Sequence, residues 1–507
     1  MSIQEKAQAV INSLDQGVGL WLTRLSLLLF FVFALYGYYA FSQFRGLASD
    51  EAMENAHLGR RLAEGHGFTT RCIRPLDLWY LSEHGAGTGS EDGWPDIRHA
   101  PLYPWLLSLG FRLRRPSFDV EPGMGVFAPE RDVVIPIGVL CSVLTGLVVF
   151  LFGRRVFDTR VGLTAMILFF VTDSVLQTSI SGTRAPLLML LTAAASYAAL
   201  DSSLRRTEGG RPVLWILSFS ASALLCGLLF LAAYEMALLV PVLLLFLVSD
   251  YDRGRWPAVL AFLLIFGLVA GPWIVRNSGV GGVLGSAPYA VFRGSQPYAE
   301  DGVDRSVEPS ADMTRALEAM RTRLPSDLRR LYETDLRTLA GGLIVCFFIV
   351  SFFHRFDSDE AGLFRWCIAL GLLLTLGLGA LGGGPDGDLL GSFTPLVLLY
   401  GTAFFFVVIE QAGFFEYGGQ AAFTWLLILL TAVPAALRIA GPRPGRPYPP
   451  YFPPFVSYVC GLLDEDETLC TDVPWATAWY GDRDSVLLPR SVDELLAIHR
   501  ERVPLHG

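Results

Sequence analysis

The chain has 507 residues, 52% of them hydrophobic and 17% charged, with a formal net charge of −9 at pH 7. A soluble domain carries about 25% charge, so this composition excludes an ordinary soluble globular protein, and no basic block points to nucleic acid. Uncharged apolar runs of roughly 18–23 residues recur, each long enough to cross about 30 Å of hydrocarbon as a helix. Backbone in lipid must satisfy its own hydrogen bonds, so the expected fold is an all-α polytopic membrane protein.

The first run, Gly19 to Phe41, is too long for a signal-peptide core and reads as a retained span. Further spans centre near Ser142, Phe169, Thr192, Ser222, Leu243, Leu264, Val345, Leu372, Leu399 and Leu429, making about eleven transmembrane helices with the one at Phe31. Basic residues of short loops stay cytoplasmic. Arg154, Arg155 and Arg160 share one loop, Arg205, Arg206 and Arg211 another, and Arg253 and Arg255 a third. The spacing predicts a cytoplasmic N-terminus and three outward segments, 42–132, 276–338 and 441–507. The organisation expected is a transmembrane domain over 1–440 and a small extracytoplasmic α/β appendage over 441–507. The appendage opens with PRPGRPYPPYFPP, whose prolines enforce extended backbone. After it, ATAWYG and SVLLP read as short strands and SVDELLAIHRERV as an amphipathic helix.

Candidate chemistry begins just after the first span, in SDEAMENAHLGRRLAEGHG from Ser49 to Gly67. Ser49 or Asp50 can cap a helix there, and Asp50 and Glu54 share a face, as do Glu51 and Asn55. Capping alone accounts for such acids as well as a role as general base does. RHAPLYPWLLSLGF, from Arg98 to Phe111, is too short to cross a bilayer. It puts Arg98 and His99 before Tyr103, either as an interfacial anchor or as a plug into the bundle. GPWIVRNSG, Gly271 to Gly279, closes the seventh span with Arg276 and Asn277, where a snorkelling arginine is the plain reading and an anion site the sharper one.

Of the seven cysteines, Cys141, Cys226, Cys346 and Cys367 lie in apolar runs as small core residues. Cys460 and Cys470 flank GLLDEDETL in the outward tail and form a candidate disulfide pair. Asp-x-Asp triplets occur at Asp250–Asp252, Asp357–Asp359, Asp386–Asp388, Asp464–Asp466 and Asp482–Asp484. No metal site is read from them, and a divalent cation is the one cofactor the chemistry leaves room for.

Taken together, the three segments resemble the GT-C glycosyltransferases, in the branch that holds protein O-mannosyltransferases and the aminoarabinose transferases of lipid A. The residues that carry the resemblance are Asp50–Glu51, Gly65–Gly67, Pro101–Pro104 and Pro272–Asn277, in the family's order, with GRRVFDTRVGLTAMILFF like its loop between the second and third spans. The chain departs from the pattern twice: Gly182-Thr183-Arg184-Ala185-Pro186 stands where many relatives have Thr-Glu-Pro, and Arg98-His99 where the aminoarabinose transferases have Glu-Lys.

The resemblance implies an inverting transfer of a sugar from a polyprenyl-phosphate donor to a hydroxyl of a lipid, glycan or protein. It implies Asp50 as base with Glu51 assisting, His99, Arg98 and Arg276 on the donor phosphate, and Tyr103 and Asn277 lining the substrate pocket. It further implies an extracytoplasmic active site in a bacterial-type plasma membrane, in contact with membrane lipid. The rival expectations are a catalytically degenerate GT-C-fold protein that binds lipid-linked glycan or serves as a structural subunit, a transporter, or a hydrolase of polyprenyl phosphates.

Overall fold

A computed structural model describes residues 18–84, 93–249, 255–281, 303, 305–308, 312–336, 339–382, 387–413, 419–442, 445, 452–464 and 467–506. The Asp250–Asp252 triplet and most of the proline-rich stretch 442–454 lie outside these residues, as do one aspartate each of Asp386–Asp388 and Asp464–Asp466. Helix α1 (Val18–Gln43) is followed by the first inter-span segment, which contains α2 (Asp50–Glu64), β1 (Thr69–Thr70), β2 (Cys72–Ile73), α3 (Pro75–Glu83), β3 (Trp94–Pro95) and α4 (Leu102–Arg114). A short π-helical turn, Glu130–Val134, leads into the bundle proper: α5 (Ile135–Val156), α6 (Thr159–Val171), α7 (Asp173–Ser179), α8 (Ala185–Thr207), α9 (Pro212–Ala232), α10 (Leu239–Ser249) and α11 (Arg255–Ser278). Then come α12 (Met313–Arg330), α13 (Leu343–Ser351), α14 (Asp359–Gly382), α15 (Gly387–Gly391), α16 (Thr394–Gln411) and α17 (Gly419–Ala440).

All eleven apolar runs are helical, and among the described residues eight helical stretches are long and apolar enough to cross a membrane. The other three differ for identifiable reasons. The run at Phe169 forms α6 and α7, bent by 62° where Thr172 leaves helical backbone (ψ 123°). The run at Leu243 begins as a 3₁₀ turn, Tyr234–Leu238, before α10. The run at Val345 is cut to nine residues because Gly341 and Gly342 adopt left-handed φ of 74° and 72°, which ends a right-handed helix.

Prolines open α5, α8, α9 and α16 at the first or second helical position, where the missing N–H has no partner to lose. Helices α8 and α16 run through the middle of the bundle, and α11 and α17 lie at its edge with mostly exposed apolar side chains. Helices α5 and α6 cross at Gly153 and Gly162, where a Cβ on Gly153 would lie 2.5 Å from the Gly162 Cα. Such small-residue crossings bring helices together where no hydrophobic effect drives them.

The tail comprises α18 (Pro453–Cys460), β4 (Leu469–Thr471), α19 (Pro474–Gly481), β5 (Ser485–Leu487) and α20 (Val492–Glu501). ATAWYG is helical, contrary to the strand expected: Pro474 opens α19, and Trp475 and Trp479, four residues apart, are both buried. Strand β5 lies between β2 and β4, parallel to both, so the tail completes a sheet begun in the first inter-span segment. Arg60 reaches Asp482 at 3.0 Å, and Arg71 lies 3.6 Å from Asp482 and 3.8 Å from Asp484. That triplet is thus neutralised by arginines.

The expected Cys460–Cys470 bridge is absent, both thiols being free. Cys460 is buried against the Thr477 carbonyl and Gly481, whereas Cys470 sits in β4 opposite Val486. Different packing partners hold the two sulfurs apart.

Candidate active site at the end of the first span

Ser49, in extended backbone, caps α2 by accepting a hydrogen bond from the Ala52 amide at 3.2 Å, and Gly65 ends the helix at a left-handed φ of 97°. Because Ser49 does the capping, the Asp50 carboxylate is left for other contacts. Asp50 is also the more open acid of its pair, its side chain 40% exposed and 3.5 Å from the Arg74 guanidinium. Glu51 forms an ion pair with Arg184 at 2.7 Å, and Arg184 also reaches Glu235 at 3.5 Å. The arginine that replaces the family's acid therefore sits between two carboxylates, and one of them, Glu235, comes from the turn between α9 and α10.

Behind this mouth lies a buried ionic chain. Glu54, one turn below Asp50, pairs with Arg74 at 2.7 Å and with His99 Nε2 at 2.8 Å. The other ring nitrogen, Nδ1, lies 2.9 Å from Asp96, whose carboxylate also accepts from the Arg98 and His99 amides. Burial alone would raise the Glu54 carboxyl, but Arg74 and His99 outweigh it and hold it well below the usual range. Burial likewise opposes charge on His99, but Asp96 and Glu54 push its pKa up to about 10. His99 is therefore a fixed imidazolium with both N–H groups already engaged, and neither is left to meet a donor phosphate as expected.

The remaining expected residues frame the site. Arg276 donates to the Asp96 carbonyl at 2.8 Å, to Asn277 Oδ1 at 2.9 Å and to the Phe68 carbonyl at 3.2 Å. Its guanidinium lies over the Trp273 and Phe68 rings. These contacts tie α11 to the first inter-span segment, a positioning role. Asn277 is buried and donates to the Tyr234 hydroxyl at 3.3 Å, which in turn donates to the His99 carbonyl at 3.0 Å. Tyr103 is buried and donates to the Gly182 carbonyl at 2.9 Å, fixing the turn that presents Arg184. Tyr103 and Asn277 thus shape the site from behind and do not line it as expected.

Arg98 differs: its guanidinium makes no hydrogen bond or ion pair among the described residues, and its charge is felt by Glu235. Among the described residues no group of three His, Cys, Asp or Glu side chains is placed to hold a metal. Around Asp50, Glu51 and Glu54, arginines supply the positive charge.

Glu54, Arg74, Asp96, Arg184 and Glu235 complete the cluster without having been singled out as site residues. Glu54, sharing a face with Asp50, and Arg184, standing at a departure from the family pattern, left a signal in the sequence, as did Glu235, an acid beside a likely outer turn.

The bundle of helices long and apolar enough to cross a membrane has the GT-C fold of the solved structures it superposes on. Residues 98–275 match the family described as dolichyl-phosphate-mannose-protein mannosyltransferase. No curated protein sequence matches the chain significantly.

Among solved structures, ArnT from Cupriavidus metallidurans bound to undecaprenyl phosphate superposes with a TM-score of 0.57 at 11% identity, over 94% of this chain and 88% of that one. The oligosaccharyltransferase AglB from Archaeoglobus fulgidus, in complex with an inhibitory peptide and a dolichol-phosphate, superposes with a TM-score of 0.58 at 12% identity. The match covers 90% of this chain but only 64% of the archaeal protein, so the chain spans less than two thirds of that relative.

Proposed function

We propose that the protein is a glycosyltransferase that moves a sugar from a polyprenyl-phosphate donor to an acceptor hydroxyl by one inverting displacement, with Asp50 as the base. The observation that carries this reading is the contrast between Asp50 and its neighbours. Glu51 and Glu54 are held in close ion pairs, while Asp50 remains partly open on a helix already capped by Ser49. In the reaction the acceptor oxygen bonds to the anomeric carbon, the bond from that carbon to the phosphate oxygen breaks, and the acceptor proton passes to Asp50. The phosphate leaves as an anion and needs no proton. Arg98 is the best placed cation to receive it, with Arg184 beside it orienting Glu51. The polyprenyl tail lies between helices.

The test offers purified protein in nanodiscs a panel of radiolabelled polyprenyl-phosphate sugars with lipid, glycan and peptide acceptors. Transfer from one donor is the expected result. Tight binding of a donor without turnover on any acceptor would favour a degenerate, binding-only protein.

The same reading places the site on the extracytoplasmic face, with the tail beside it, as the arginine-bearing loops between the other ends of the spans suggest. Leu462→Cys, at a position 69% exposed in the tail, should react with a membrane-impermeant maleimide on intact cells. Labelling only after permeabilisation would reverse the orientation.

A further inference from the structure

The buried charges near Asp50 have ionic partners, but one buried arginine at the other end of the bundle has no counter-ion among the described residues. Arg365, on α14, is 4% exposed, and its guanidinium carbon lies 5.0 Å from the ring centres of both Phe352 and Phe356. It donates to the Ser351 carbonyl, its Nε has no partner, and no carboxylate among the described residues forms an ion pair with it. A buried charge without a counter-ion is costly, and structures normally supply one.

Arg365 lines a pocket of about 480 Å³ together with His354, Gly362 and Trp366. The one acid on the wall, Asp359, is 81% exposed and is taken by Arg355 at 3.0 Å, so it does not neutralise Arg365. Phe356 packs on Phe157, with ring centres 5.4 Å apart. Phe157 follows the last residue of α5, while Glu130 lies just before the first turn of α5 and accepts from the Leu47 amide beside the Asp50 segment. The pocket is therefore one full span away from the carboxylate cluster, at the opposite membrane surface. Its rim carries Phe353, 91% exposed, and Trp366, 58% exposed. An aromatic rim of this kind sits at the lipid headgroup level.

We infer that this pocket binds a phosphate group, supplied by the head of an anionic membrane phospholipid, with Arg365 as its counter-ion. A guanidinium held between two aromatic rings is pre-organised to present its fork to phosphate oxygens. The apolar rim leaves the acyl chains in the bilayer.

The test uses full-length protein, delipidated in dodecylmaltoside and titrated with phosphatidylglycerol, with diacylglycerol of the same chains, or with inorganic phosphate. Native mass spectrometry and the melting temperature are the readouts. Wild type should retain one phosphatidylglycerol and melt higher with it, and diacylglycerol should do neither. Arg365→Gln should weaken retention at least about tenfold, the usual effect of losing a hydrogen bond to a charged group. Gly362→Leu keeps Arg365 and fills the pocket: a Cβ there meets nothing within 4 Å, so the variant should fold as wild type and lose the lipid. A melting shift with inorganic phosphate and none with the lipid would keep the phosphate site but assign it to a soluble ligand. Equal phosphatidylglycerol retention by wild type and both variants, or no response to either phosphate source, overturns the inference.

Discussion

Replacing Asp50 by Asn is expected to lower turnover by about 10²-fold or more while leaving donor binding intact, once the donor panel has identified a substrate. The substitution keeps size and polarity and removes only the proton acceptor. Stability should barely change, because Ser49, not Asp50, caps the helix and the nearest cation lies 3.5 Å away. Glu51→Gln is the internal comparison. Its ion pair with Arg184 at 2.7 Å makes it an orienting group, so a smaller loss is expected, with melting temperature affected as much as rate. Transfer at the wild-type rate by Asp50→Asn would remove Asp50 from the mechanism.

Glu54→Ala is expected to cost about 3–5 kcal/mol, the range for breaking a buried ion pair from one side. It removes the closest carboxylate from both Arg74 and His99, leaving Arg74 with Asp50 at 3.5 Å and His99 with Asp96 alone. The pH profile should carry the same signature. The His99 pKa is raised from 6.5 to about 10 in the folded protein, so its contribution is full below about 6.5 and fades as pH rises through about 10. Glu54 and Asp96 are depressed, so theirs is full above about 4.5 and is lost as pH falls toward their folded-state values. The contribution of this trio to thermal stability is therefore flat between about pH 4.5 and 6.5 and declines on both sides, and its alkaline part is read as the difference between the wild-type and His99→Gln unfolding profiles. His99→Gln should flatten the alkaline decline. A profile unchanged by that substitution would show that the imidazolium does not bridge Glu54 and Asp96.

The spans were legible because lipid imposes a length and a composition on each of them, and three short motifs marked where the chain leaves the bundle. Structure brings those motifs to one place: Arg276 bonds to the Asp96 carbonyl next to Arg98, and His99 touches Glu54, one turn from Asp50. What could not be read is which member of each motif is exposed. Asp50 and Arg98 face outward, while His99, Tyr103 and Asn277 are engaged behind them, and this sorting depends on partners far away in sequence. Arg74 and Asp96 are lone charges with no periodicity to flag them. Arg184 stood out only as a missing acid, and its pairing with Glu235 needs the turn between α9 and α10. The strand misread in ATAWYG has a similar cause: its apolar residues fit either period until the tail is packed on α2 and Glu130, where Trp479 and Tyr480 donate at 2.9 and 2.7 Å.

The parallel pairing of β2 with β5, and the Arg60–Asp482 contact across 422 residues, set an order of events during biosynthesis. The segment that carries Asp50 leaves the ribosome early, yet its sheet and its Arg60–Asp482 contact are completed by residues made about 400 positions later. At about 5–20 residues per second, the segment waits for tens of seconds in an unfinished state, with Arg71 lacking its aspartate partners and one edge of β2 open. Closing so long a loop is slow in itself. The carboxylate cluster around Asp50 draws all its partners from the first 235 residues, so it can form before the tail exists, whereas the β2–β5 sheet that backs it waits for Ser485.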